Sequence, residues 1–219
     1  MPLQKEFFRQ NVFSLAESLL GKKLVREIDG QRLIARIVEV EAYAGPEDKG
    51  CHAYQNKRTE RTEVMFWPGG YTYVYLIYGL HNLLNIVASE ADKPEAVLIR
   101  ACEPVEGVLT MAENRGITLS PDIKAKVQKG GAERERLNSQ IKKLTRLTNG
   151  PGKLTEALAI DCSWNGYDLT DGKELYLLPG GLKPEEEICQ GKRINIDYAE
   201  EYKEKPWRYY IKSNAFVSC

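Results

Sequence analysis

The chain has 219 residues, 42% hydrophobic and 28% charged, which suits one folded domain of moderate size and excludes a disordered or fibrous chain. Thirty-one basic residues balance thirty-one acidic ones, so any contact with nucleic acid must rest on local clustering of charge and not on the total. No apolar run reaches 18 residues and MPLQKEFFRQ carries no signal-peptide pattern, so a chain that neither crosses nor enters a membrane is expected.

Five scattered cysteines (51, 102, 162, 189 and 219) without a CxxC pair are expected to be free thiols in a reducing compartment. His52 and His81 are the only histidines, so no metal site and no cofactor are expected.

Residues 11 to 20 read as a helix. Val12, Leu15, Ala16, Leu19 and Leu20 form its stripe, Asn11 its cap and Gly21 its stop. Strands are expected at 23 to 28 and 32 to 43, joined by the turn signal Asp29-Gly30. Leu33, Ala35 and Ile37 share one parity, and Glu39 and Glu41 continue it, so a carboxylate at the strand end is expected to look inward. A loop containing Cys51-His52 follows. Pro68-Gly69-Gly70 then turns the chain into a strand over Tyr71 to Tyr78, with Tyr73 and Tyr75 on one face and Tyr78 on the other. Gly79 marks the tip of a hairpin that returns over Asn82 to Ala88, followed by a strand at 96 to 102.

Pro104 is expected to open a helix reaching Asn114, and Ser120-Pro121-Asp122 caps another that ends near Lys129. Gly130-Gly131 breaks the chain and is expected to be a mobile loop. A helix over 134 to 148 places Ile141, Leu144 and Leu147 inward. Residues 136 to 155 hold no acid and carry Arg136, Lys142, Lys143, Arg146 and Lys153, a candidate basic face to which Lys57, Arg58 and Arg61 add. A solvated helix face would look the same. Gly150-Pro151-Gly152 is a tight turn before a short helix ending near Ile160. Its amides and Lys153 could meet a phosphate, although GxxxxGK[ST] is absent. Further strands are expected at 174 to 178, 192 to 197 and 207 to 212. The pattern as a whole predicts an α+β fold: a single compact domain, with a curved antiparallel sheet, a protruding β-hairpin and surrounding helices.

A buried carboxylate, a nearby histidine and a file of tyrosines would suit an enzyme that stacks a planar ring. Tyrosine-rich strands also serve as ordinary β core. The segments VEVEAYAGPEDKGCHAY (38 to 54), MFWPGGYTYVYLIYGLHNLLN (65 to 85), VLIRACEP (97 to 104), GPGKLTEALAI (150 to 160) and KPWRYYIK (205 to 212) closely resemble, in order, those of the alkyladenine (3-methyladenine) DNA glycosylase family. That resemblance implies a monofunctional enzyme that flips damaged purines out of double-stranded DNA and hydrolyses the N-glycosidic bond with an activated water. The damaged bases are of the 3-methyladenine, 7-methylguanine, hypoxanthine and ethenoadenine type. It implies Glu41 as general base with Arg100 holding the water and keeping Glu41 ionised, and a base slot of Tyr43, His52, Tyr75 and Asn85. It also implies Tyr78 as the intercalating wedge and a backbone contact at the GPGK turn with Lys153, to which the basic run adds Lys142, Lys143 and Arg146 as candidate backbone contacts. Glu39, about 7 Å further down the strand, is expected to be structural. A monomer is expected, in the cytoplasm of a bacterium or the nucleus of a eukaryote.

The family's TPRN is replaced here by Thr59-Glu60-Arg61-Thr62, which puts backbone affinity and base selection in question. Two alternatives stay open. A non-catalytic damage-binding module would bind lesions without releasing base, and a small-nucleoside hydrolase would not depend on duplex DNA.

Overall fold

The computed structural model describes residues 1–128 and 142–218, Lys142 by its backbone alone. Gly130-Gly131, Arg136, Ile141 and the first half of the helix expected over 134 to 148 lie outside the described residues.

The chain opens with a single helical turn, α1 (Lys5–Phe8), and the helix α2 (Val12–Leu19). Asn11 caps α2, its Oδ1 accepting from the amides of Phe13 and Ser14 at 3.1 and 3.0 Å, a contact type that contributes about 1 kcal/mol. Strands β1 (Lys23–Ile28) and β2 (Gln31–Tyr43) follow, joined by Asp29 and Gly30, both at positive φ (48° and 76°) as a two-residue hairpin turn demands. β3 (Thr72–Ile77) and β4 (His81–Val87) make the aromatic hairpin, and β5 is Ala96–Glu106. Helices α3 (Val108–Asn114), α4 (Pro121–Gln128), α5 (Lys142–Thr145) and α6 (Pro151–Ala157) come next. The chain closes with β6 (Leu175–Leu178), β7 (Ile188–Gly191) and β8 (Arg208–Ile211).

The strands form one strongly curled antiparallel sheet in the order β3-β4-β5-β2-β1-β6, with β8 paired to both β2 and β7. β2 is its long central strand. β5 follows one edge, while β1 takes residues 31 to 36 of the other edge and β8 takes Glu39 to Glu41. The helices α2 and α6 cover one face through Leu15, Ala16, Leu19, Leu154 and Ala157, which join the main apolar core.

Two β-bulges decide where the site falls. Ile37 opposes Cys102 and Glu39 opposes Ala101, so Val38 is an extra residue in β2; Val40 opposes Ile99, so Arg100 is an extra residue in β5. Leu33, Ala35 and Ile37 enter the main core before the bulge, and Val38, Val40 and Ala42 enter it afterwards. The parity has switched. Glu39, Glu41 and Tyr43 therefore face away from the main core, which corrects the uninterrupted alternation expected from the sequence. The carboxylates are still fully buried, because the other face is covered too.

Three further expectations change. Pro104 does not open a helix; it lies within β5, opposite Ala35 at a register shift where a proline lacking an N–H is tolerated, and α3 starts at Val108. Residues 192 to 197 form no strand. Asn195 sits at φ 60° and Arg193 turns inward to a buried partner, so the paired strand is β7 instead. The last basic helix ends at Thr145 instead of residue 148, with Leu144 and Leu147 buried against α3 and α4.

Candidate active site

The far face of the sheet carries a second apolar cluster. Cys51, Ala53, Met65, Phe66, Tyr73 and Ala96 form it, with Tyr43 and Tyr75 packed against it. Cys51, Met65, Tyr73, Ala96, Tyr43 and Tyr75 of this group line a small cavity of about 30 Å³, together with His52, Asn85 and Tyr198. It adjoins a groove of about 430 Å³ that shares Tyr43, His52, Tyr75 and Tyr198 and continues past Arg100 to Tyr78, His81 and Gly150 to Lys153. Among the described residues, Arg100, Arg115 and Lys153 are the charged side chains lining that groove, and no Asp or Glu lines it. Arg100 is paired with Glu41 and Arg115 with Glu156, so carboxylates just behind the lining offset part of this positive charge.

Glu41 lies directly behind the groove wall, with no exposed surface. Its Oε2 accepts from the Tyr43 hydroxyl at 2.9 Å and its Oε1 from the Ile194 amide at 2.7 Å. Nη1 of Arg100 stands 3.3 Å from the same Oε1. Tyr43, Ile194 and Arg100 all line the groove, so Glu41 reaches it through its three partners. Burial pushes the Glu41 carboxyl above its ordinary value, while Arg100, the Ile194 amide and Tyr43 pull the other way. Arg100 thus acts in the direction expected of it, and burial outweighs it.

Glu39 is equally buried and differently used. It accepts from the Ser218 amide at 2.6 Å, the Ser218 hydroxyl at 2.9 Å and Arg208 at 3.0 Å, which ties the C-terminal segment to β2 and β8.

The slot side chains are brought together as expected. His52 Nδ1 and the Tyr73 hydroxyl are 2.8 Å apart, and the His52 ring lies 4.7 Å from Tyr75 in an edge arrangement. Burial, then Arg61 and Lys57, lower the His52 pKa to about 4, so its ring is neutral at physiological pH. Asn85 is buried opposite Tyr73 in the β3–β4 ladder, and its amide donates to the Tyr73 carbonyl at 3.0 Å. Two guanidinium groups face the tyrosines: Arg193 lies 4.7 Å from the Tyr43 ring and Arg61 5.0 Å from the Tyr75 ring.

Tyr78 stands at the opposite end of the groove. It is 80% exposed and, with Gly79, holds positive φ (52° and 67°) in a turn closed by the Leu80 amide donating to the Ile77 carbonyl at 3.1 Å. Both central residues are left-handed, as in a type I′ turn. Leu76 and Leu80 are also exposed, so the hairpin tip is apolar.

The basic face divides. Lys153 lines the groove beside Gly152, whose missing Cβ lets α6 approach His81; a Cβ there would come within 3.0 Å of the His81 side chain. Lys143 and Arg146 are exposed but do not line the groove. The Lys142 side chain is outside the described residues. In the departing loop, Thr62 is buried and its hydroxyl donates to the Lys57 carbonyl at 2.8 Å, whereas Glu60 is exposed. Among the described residues no group of three His, Cys, Asp or Glu is placed to hold a metal ion.

Four residues of the site go beyond the sequence expectations. Arg115 and Tyr198 line the groove, the Ile194 amide holds Glu41, and Arg193 backs the Tyr43 ring. Arg193 and Ile194 lie in the run 192 to 197 read as a strand, Tyr198 follows it and Arg115 follows the expected helix end at Asn114, so no local signal marks any of the four.

Among the described residues the groove brings together an aromatic cluster, three cations and a buried carboxylate–guanidinium pair, an arrangement suited to an enzyme site. The model of the methylpurine-DNA glycosylase family matches residues 6–215. A protein of Natranaerobius thermophilus is 53% identical over 218 residues, covering 100% of this chain and 99% of its own. Proteins of Alkaliphilus oremlandii and Clostridium acetobutylicum are 46% and 47% identical, covering 100% of this chain and 99% and 98% of their own. All three bear the name "Putative 3-methyladenine DNA glycosylase". The chain belongs to the methylpurine-DNA glycosylase family and is a DNA N-glycosylase of base excision repair.

Proposed function

We propose that the enzyme releases damaged purines of the 3-methyladenine type from duplex DNA by base flipping and direct hydrolysis. The observation that carries this reading is the Glu41 carboxylate, held by three groups that themselves line the groove. A carboxylate has about four lone-pair sites, so the two hydrogen bonds from Tyr43 and Ile194 leave sites for a water.

DNA lies along the groove, its backbone near Lys153 and Arg115. Tyr78 fills the space left by the flipped nucleotide. The purine enters between Tyr43, His52 and Tyr75, where each stacking contact contributes roughly 1 to 3 kcal/mol against a flipping cost of a few kcal/mol. Glu41 takes a proton from the water as its oxygen attacks C1′. The bond from C1′ to the purine nitrogen breaks, and its electron pair leaves with the base. A cationic methylated purine departs neutral, which makes it an easy leaving group. Arg100 orients the water and offsets the burial of Glu41. The raised carboxyl pKa suits a general base, which works best with a pKa closer to the operating pH. The neutral His52 ring adds no positive charge to a slot meant for a cationic base.

The test is base release from duplexes each carrying one defined lesion, with undamaged duplex and the free nucleoside as controls. Release from a 3-methyladenine or 7-methylguanine duplex, without strand cleavage, is expected. Activity on the nucleoside alone points to a small-nucleoside hydrolase, and lesion binding without release to a damage-binding module.

A further inference from the structure

Arg193 and Asp48 form an ion pair in which neither side chain has exposed surface. Nη1 of Arg193 donates to Asp48 Oδ2 at 2.5 Å and Nη2 donates to Oδ1 at 2.7 Å, a two-pronged fork. Nη1 also donates at 3.0 Å to the carbonyl of Ala42, the residue between Glu41 and Tyr43. The guanidinium lies 4.7 Å from the Tyr43 ring and 5.0 Å from the Trp207 ring. Asp48 in turn accepts from the amides of Ala44 at 3.1 Å and Gly50 at 2.9 Å, so it shapes the turn that leads to His52. The residue after Arg193 is Ile194, whose amide holds Glu41. One pair thus touches the end of β2, the rear of a slot ring, the turn before a second slot residue and the segment that supports the carboxylate.

A buried ion pair is a poor source of net stability, because desolvation offsets most of its attraction. Its value lies in geometry: a bidentate fork has one preferred arrangement, and a nonpolar replacement would have many. The packing is close enough to enforce it. A Cβ on Gly50 would come within 3.0 Å of Arg193 Nη2 and 3.2 Å of Asp48 Oδ1.

We infer that Arg193 and Asp48 are a positioning pair for base release, fixing the Tyr43 ring and the Ile194 amide around Glu41 without touching the DNA. This rests on the glycosylase reading given above. Because the pair acts through Glu41, its loss should alter the step that needs the ionised carboxylate more than it alters lesion binding.

The experiment compares the parent with Arg193→Lys, and with Arg193→Gln combined with Asp48→Asn. The double variant removes both charges together and leaves neither unpaired, so it covers the case in which the single variant does not fold. Lesion-duplex Kd, single-turnover base release per folded molecule and the pH profile of release are measured. Glu41 is faced by Arg100 from β5, by Tyr43 and Glu39 from β2 and by the Ile194 amide, with Arg193, Tyr75 and Tyr198 further out. Of these, both variants disturb the placement of the Ile194 amide, which favours the ionised carboxylate; Arg193→Lys keeps the positive charge, and the double variant removes it together with the opposite charge of Asp48, so neither alters the net charge around Glu41. The expected result is a fall in release of up to about 100-fold, a Kd within about threefold, and an acidic limb moved to higher pH. Release within about twofold of the parent with an unmoved limb overturns the inference, whatever happens to Tm. So does a loss of binding equal to the loss of rate. A parent that frees no base from any lesion duplex overturns the functional reading and this inference with it, whereas an active parent with unaffected variants overturns this inference alone.

Discussion

The hydroxyl of Tyr43 donates to Oε2 of Glu41 at 2.9 Å, so a ring of the slot and the carboxylate behind it share one hydrogen bond. Two positions apart on one strand, they lie on the same side of the sheet, and whatever seats the ring also seats the carboxylate. Tyr43→Phe keeps the ring and removes the bond. Lesion binding is expected to change little, while release falls by roughly tenfold or more, the scale of a hydrogen bond to a charged group. Equal losses in Kd and rate would show the hydroxyl serving the slot alone.

Glu41→Gln tests the carboxylate itself. Binding of a lesion duplex is expected to stay within a few-fold, and release to drop by at least about 100-fold. The pH profile adds a second reading. Burial raises the Glu41 pKa, and the base works ionised, so parental activity is expected to fall with decreasing pH at a point above the ordinary carboxylate range. Arg100→Gln removes a group that lowers this pKa and should move that limb further up. A limb that stays put would detach Arg100 from Glu41.

His52 provides a stability signature. Its pKa is lowered from 6.5 to about 4 in the folded chain, chiefly by burial. The folded state therefore holds fewer protons on this ring than the unfolded state between those values. Its contribution is fully present above about pH 6.5 and is lost as pH falls through about 4. His52→Gln should flatten the dependence of unfolding free energy on pH across that window. A ring proton signal titrating near pH 6.5 by NMR would contradict it.

Tyr78 is exposed at the hairpin tip and Arg61 lies over Tyr75, and each makes a comparison possible. Tyr78→Ala should lose roughly 1 to 3 kcal/mol of flipping, most for a well-paired lesion and least opposite a mismatch. A defect of the same size in both duplexes would assign Tyr78 to hairpin stability. Arg61→Gln should favour cationic lesions over hypoxanthine by about fivefold, because the Tyr75 face then carries no competing guanidinium, an interaction worth about 1 kcal/mol. An unchanged ratio would place Arg61 outside base selection.

Lys143 and Arg146 are exposed yet stand apart from the groove lining. If DNA extends beyond the groove onto them, Lys143→Ala with Arg146→Ala weakens lesion and undamaged duplexes alike. The salt dependence of log K then becomes shallower by about one unit for each phosphate no longer neutralised. An unaltered slope confines the DNA to the Arg115 and Lys153 side.

Most strands are legible in the sequence because the apolar patterning of β1, β2, β3 and β4 is strong and Asp29-Gly30 and Gly79 supply residues that tolerate the positive φ of the two turns. The slot tyrosines follow from that patterning together with the family's motifs. The bulges are not legible. An inserted residue leaves a run such as IVEVEAY looking regular, and only the partner strand reveals the shift. Arg193 is hidden for a different reason: its partner is 145 positions away, and a lone arginine in a short apolar run looks like a strand residue facing water. Tyr198 and Arg115 reach the groove from segments whose local pattern says nothing of it.

The extra residue Val38 gives β2 two outlooks. Below it, the odd-numbered side chains belong to the main core; above it, the even-numbered ones do. Pairing Val38 into the ladder as an ordinary residue, with no bulge, would leave every side chain beyond it chemically intact and turn Glu39, Glu41 and Tyr43 toward the apolar interior, with Val40 and Ala42 exchanged to the far face. No substitution at Glu41 produces such an exchange. The strand works like a gear with one added tooth: its phase, more than its composition, keeps folding and chemistry on separate sides of a single ribbon. The chemistry of this enzyme therefore depends on how β2 is phased against β5, beyond the identity of any one letter.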